Sequence, residues 1–103
     1  MGKLNLTITT PERLILQEQV DEVIAPGSLG YFGVLPSHAP FLSQLKAGEL
    51  SYRIDENKHF LWINGGYCEV LEDRVTILAH KARKIEEDEA KDLGKIEYKG
   101  MGR

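Results

Sequence analysis

The chain has 103 residues, of which 42% are hydrophobic and 28% charged, with a formal net charge of -3 at pH 7. This is the size of one domain and the composition of a folded globular protein rather than a disordered one. The negative balance argues against nucleic acid or an anionic membrane surface as a partner, no apolar run approaches the ~20 residues that span a bilayer, and the opening residues lack the apolar segment of a signal peptide.

In chain order, the first element is a strand in which Leu4, Leu6 and Ile8 alternate with Lys3, Asn5, Thr7 and Thr9, apolar on one face and wet on the other. Leu50, Tyr52 and Ile54 repeat the pattern against Ser51, Arg53 and Asp55. The run His59-Phe60-Leu61-Trp62-Ile63 is apolar on both faces and suits a central strand or one covered by a partner. Val75, Ile77 and Ala79 alternate with Arg74, Thr76 and, less cleanly, Leu78. Reversals are expected at Pro26-Gly27, Asp55-Glu56-Asn57, Asn64-Gly65-Gly66 and Glu72-Asp73, which carry turn-forming residues. Short strands at this spacing, with no helical pattern before residue 80, predict a mainly β antiparallel sandwich or barrel over residues 1–80. Residues 81–103 form a charged tail, in which Ala82, Ile85, Glu89 and Leu93 fall at helical spacing. A short helix is expected over about 83–93, ended by Gly94.

Isolated reactive groups carry little. Cys68 is the single cysteine, so it can form no internal disulfide, which fits a reducing compartment and a cytosolic protein. His38, His59 and His80 are evenly spread, with no carboxylate or cysteine at metal-ligand distance, so no metal site is expected. Ser37 and His38, as neighbours on an extended chain, point apart and make no triad.

The least ordinary stretch runs from Ala25 to Pro40, APGSLGYFGVLPSHAP. Gly27, Gly30 and Gly33 recur every third residue and Pro26, Pro36 and Pro40 punctuate them. A rigid loop that cannot continue an ordinary sheet ladder is expected. It is no phosphate cradle: no lysine follows the glycines and Val-Leu-Pro leads away from any helix. Tyr31, Phe32, Val34 and Leu35 give it an apolar load suited to docking against protein.

The run PGxxGxxGVLPxHAP resembles the signature segment of the epsilon (in mitochondria, delta) subunit of F-type ATP synthases. Leu6-Thr-Ile-Thr-Thr-Pro-Glu12, Leu45-Lys-Ala-Gly48, Gly65-Gly66-Tyr67-Cys68-Glu69-Val70 and Asp73-Arg-Val-Thr-Ile-Leu-Ala79 agree in order, so the resemblance covers about residues 3–80. It implies a flattened sandwich of about ten short strands, a non-catalytic rotor part clamped between the gamma subunit and the c-ring. Leu29, Gly30, Tyr31 and Phe32 match the turn directed at the c-ring, where the family often has an acidic residue at the place of Tyr31. Pro36, His38, Ala39, Pro40 and Leu42 match the stretch that faces gamma. The family's C-terminal helical hairpin is expected to be reduced here to a remnant. At its ATP motif this chain has Ile85-Glu86-Glu87-Asp88-Glu89-Ala90, with Glu89 in place of the phosphate-pairing arginine. ATP binding is therefore not expected, nor any cofactor. The resemblance also places the chain at the cytoplasmic face of a bacterial membrane, peripheral through the complex. The competing reading is a small β-barrel that binds a ligand or metal through its histidines.

Overall fold

The computed structural model describes residues 2–85. Alternating apolar residues set the strands. They are β1 (Leu4–Thr9), β2 (Leu14–Val20), β3 (Glu22–Gly27), β4 (Gly30–Val34), β5 (Phe41–Ile54), β6 (Asn57–Leu71), β7 (Arg74–Ala79) and β8 (Ala82–Ile85). Leu4, Leu6, Ile8, Leu50, Leu61, Ile63, Val75 and Ile77 are almost wholly shielded from water, as their alternation requires. No polar or charged side chain among the described residues is buried, so the interior is a dry packed core.

The chain is a β-sandwich made by two long strands that each cross from one layer to the other. In β5 and β6 the pairing runs from Phe41 opposite Val70 to Ile54 opposite Asn57. On the far side of β6, β7 pairs residues 66–71 and β8 pairs residues 60–63. One layer therefore holds β2, β1, β7, the end of β6 and the start of β5. The other holds β8, the start of β6, the end of β5, β3 and β4. Counting each long strand once per layer gives the ten short strands of the expected sandwich, drawn from eight continuous ones.

Three sequence expectations need correction. Asn64-Gly65-Gly66 is no reversal, because β6 runs through it; Gly65 and Gly66 have φ of 77° and 129° and bend the strand between layers. A Cβ on Gly66 would lie 2.0 Å from the Leu78 carbonyl oxygen, so only glycine lets β7 approach there. The stretch 25–40 is not a ladder-free loop: β3 and β4 form an antiparallel hairpin with Pro26 opposite Tyr31, and the turn is Ser28-Leu29 rather than Pro26-Gly27. Proline disturbs only the other side, where the β3–β5 register shifts between Ile24 and Gly27. Finally, residues 83–85 are strand, not the start of a helix, because Ile85, Lys84 and Arg83 pair with Phe60, Leu61 and Trp62. The sheet so continues past residue 80, and the rest of the expected helix, 86–93, lies outside the described residues.

Candidate partner-binding surface

The signature stretch divides into two sites at opposite ends of the β3–β4 hairpin. The four steps from Gly30 to Val34 separate them by roughly 13 Å at about 3.3 Å per residue. At the hairpin tip Leu29 is fully exposed and Gly30 takes φ 132°. Tyr31 is about half exposed, and its hydroxyl oxygen accepts a hydrogen bond from the Glu49 N–H at 3.1 Å. Phe32 is half-buried, packs on the core and meets Phe41 edge-on with ring centroids 5.0 Å apart. These four residues do not form one exposed patch; the tip itself is Leu29.

At the other end the chain turns through Leu35–His38. The His38 N–H donates to the Leu35 carbonyl at 3.2 Å, with Pro36 and Ser37 between them and Ser37 at φ 70°. Proline followed by a residue of positive φ fits a type II turn, where glycine is usual. Here the strained serine is held from outside, because its N–H donates to the Asp73 carboxylate at 2.7 Å. The His38 ring is half-buried, its Nδ1 donating to the Ala39 carbonyl at 2.7 Å and its edge against Phe41. Ala39, Pro40 and Leu42 are exposed, and Leu42 stands 70% accessible on β5.

Leu42 belongs to a wider surface. Outer positions of its layer ought to be polar, since the inner ones hold Leu6, Cys68, Val70, Val75 and Ile77. Instead Leu14, Leu71, Tyr67 and Leu78 point outward, the last two 50% and 53% accessible. The ladders set them side by side: Leu14 opposite Thr9, Thr9 beside Leu78, Leu78 opposite Tyr67, and Leu42 opposite Glu69 two residues on. Sequence reasoning missed this face. The available signal was Leu78, an apolar residue in a polar slot of an alternating strand.

The other candidate groups are dispersed. His59 stacks on Tyr52 with ring centroids 5.0 Å apart, and His80 sits beside the Gly65 bend. Among the described residues no three His, Cys, Asp or Glu side chains gather as metal ligands, and no helix is long and apolar enough to cross a membrane. Cys68 is buried and its thiol is pushed up to about 12, first by burial and then by the charge of Glu69, so it is inert at neutral pH. The hollow beside β8, of about 310 Å³ and lined by Trp62, Asn64, Lys81, Ala82 and Arg83, opens to solvent.

Comparison with known proteins matches this sandwich to one lineage. The ATP synthase epsilon chain of Syntrophobacter fumaroxidans is 56% identical over 85 residues, and that of Citrifermentans bemidjiense is 52% identical over 85. Each alignment covers 82% of this chain and 63% or 62% of the relative, so the chain spans less than two thirds of the curated relatives' length. Among solved structures, a chain of the Euglena gracilis mitochondrial ATP synthase (OSCP/F1/c-ring) superposes with a TM-score of 0.79 at 29% identity, covering 93% of this chain and 62% of its own. A chain of the Tetrahymena thermophila mitochondrial ATP synthase central stalk and c-ring shares the fold, with a TM-score of 0.68 at 17% identity, covering 80% of this chain and 66% of its own. The sequence pattern of the ATP synthase delta/epsilon chain β-sandwich domain matches residues 3–85, and the chain belongs to that family.

Proposed function

We propose that this chain is a non-catalytic rotor subunit of an F-type ATP synthase, joining the gamma subunit to the c-ring so that rotation driven by ion flow reaches gamma without slip. The observation that carries the reading is the apolar outer face around Leu42, Tyr67, Leu71 and Leu78, too coherent for a free surface and continuous with the ridge Pro36, His38, Ala39 and Pro40. Gamma covers that face. The hairpin residues 29–32, at the opposite end, reach the c-ring. Subunit contacts fit the kinship with epsilon chains and with proteins solved alongside a c-ring.

A clamp needs breadth rather than reactive groups. A stable interface buries about 1,200–2,000 Å², with apolar anchors at its centre. Leu42, Leu78 and Tyr67 are such anchors, and Glu69, opposite Leu42 on the same face, is a charge that the partner must pair or leave at the wet rim. The protein is held at the membrane through its partners, on the cytoplasmic side in a bacterium. With Glu89 where the family's motif has arginine, ATP has no pairing group, and no nucleotide response is assigned to this chain.

The test is co-purification with recombinant gamma. Wild type is retained; Leu42→Asp is lost from the complex while its isolated circular dichroism is unchanged. Retention of that variant at wild-type yield would remove the assignment of this face. Isothermal titration with ATP is expected to give no heat at millimolar concentration, and a micromolar affinity would restore nucleotide sensing.

A further inference from the structure

The β6–β7 turn carries residues that its shape does not favour. Leu71 pairs with Arg74, so Glu72 and Asp73 make the reversal, and both take positive φ, 50° and 62°. A two-residue hairpin turn of that kind favours asparagine followed by glycine, because a Cβ is crowded in the left-handed region. Glycine at position 73 would ease the turn. It would also remove the carboxylate that reaches out of it.

That carboxylate accepts the Ser37 N–H at 2.7 Å. The Asp73 backbone is itself held, since its carbonyl accepts the Asn5 N–H at the start of β1 at 2.8 Å. On the other side of the bond, Ser37 sits at φ 70° and the His38 N–H closes the turn on the Leu35 carbonyl at 3.2 Å. Pro36 and Pro40 have no N–H, so the backbone donors of this stretch belong to Ser37, His38 and Ala39. One closes the turn, and that of Ser37 ties the turn to the β6–β7 corner. Strained backbone persists only where its surroundings fix it, and it gathers at sites that must keep one shape. Two turns with non-glycine residues in the left-handed region meet at this hydrogen bond.

We propose that Asp73 is a positioning residue for gamma binding: its carboxylate holds the Leu35–His38 turn in the shape in which Pro36, His38, Ala39 and Pro40 meet gamma, without touching gamma itself. The proposal rests on the rotor reading above and adds the residue that sets the shape of its gamma interface. A turn fixed before docking need not be ordered on docking. A turn that samples other shapes binds more weakly, in proportion to the fraction of molecules in the competent one.

The experiment measures the affinity of the full 103-residue chain for recombinant gamma of the same synthase, together with amide exchange and denaturant unfolding of the free chain. Asp73→Asn keeps an acceptor oxygen and tolerates positive φ, so it is expected to bind within about twofold of wild type with unchanged exchange at Ser37. Asp73→Gly fits the turn but lacks the acceptor. It is expected to weaken binding about three- to tenfold and to speed exchange at Ser37 and His38, while its unfolding midpoint stays at or above the wild-type value. A residue that served only the fold would lower stability and affinity together. Wild type failing to bind gamma contradicts the rotor reading itself. With wild type bound, an Asp73→Gly chain of equal affinity overturns only this inference, and so does one whose affinity falls in step with a lowered midpoint. Unchanged exchange at Ser37 in Asp73→Gly overturns it as well. An Asp73→Asn chain as weak as Asp73→Gly also does, because the carboxylate charge would then be a partner contact.

Discussion

The two ends of β3 are built from opposite chemistries. At the Glu22 end, charges are tied together. Asp21 takes Lys3 at 2.7 Å and the Asp55 N–H at 2.6 Å, with Arg53 at 3.8 Å, while Arg53 also reaches Glu22 at 3.5 Å. These contacts bind the start of β1, the β2–β3 corner and the β5–β6 turn into one clasp. At the Gly27 end the hairpin itself carries no Asp, Glu, Lys or Arg, and it is braced by a proline, a glycine and a phenol that accepts from the Glu49 N–H of β5. The clasp uses solvated charge to hold the fold together. The ridge leaves an uncharged surface that a partner can dry without desolvating an ion.

Substitutions in the core, on the outer face and at the clasp should separate these roles. The largest effect is expected in the shared core beneath both ends. Leu50→Ala, at a wholly buried site, should cost about 2–5 kcal/mol of stability by denaturant titration, whatever happens to binding. Next comes Leu42→Asp on the outer face, which should cost about 2–4 kcal/mol in gamma binding and less than about 0.5 kcal/mol in stability. Were Leu42→Asp to unfold the chain, the outer face would be part of the fold and not a docking surface.

The smallest effect lies at the clasp and appears through pH. The Asp21 carboxyl is held below its ordinary value of 3.8, first by the hydrogen bond from Lys3 and then by the Asp55 N–H. Its contribution is present above that ordinary value and is lost as pH falls through the lowered one. Lys3 is raised above 10.5, chiefly by the same hydrogen bond, so its contribution is present below 10.5 and lost as pH rises through the raised value. Between these limits the clasp should be insensitive to pH. Asp21→Asn should lower the melting temperature slightly at pH 7 and flatten the decline below pH 4. An acid limb as steep as wild type's would mean that another carboxylate governs it.

Much of the fold was legible because alternation is a direct record of burial. Leu4, Leu6, Ile8, Val75 and Ile77 were placed on the inner face by pattern alone, and all are buried. Glycine and proline were harder to read. The Gly65-Gly66 pair signals an unusual backbone, yet the same positive φ serves a reversal or a strand bend, and only the neighbouring β7 backbone decides between them. Pro26 forbids one hydrogen bond, not two ladders, so a hairpin fits where a loop was expected. The short helix failed at residues 83–85 because partner-strand pairing along β6 overrides the helical spacing of Ala82 and Ile85. The signature residues were findable as a string. Their division between two ends of a hairpin was not, because it depends on the length of β4 and the turn that follows it.

The central claim is that the outer face around Leu42 exists to be covered. Its most direct test is hydroxyl-radical footprinting of the chain, free and assembled with gamma and the c-ring. Leu42, Tyr67 and Leu78 should be oxidised readily in the free protein and protected severalfold in the assembly, while Leu50 is protected in both. Equal oxidation of Leu42, Tyr67 and Leu78 in the two samples would contradict the account.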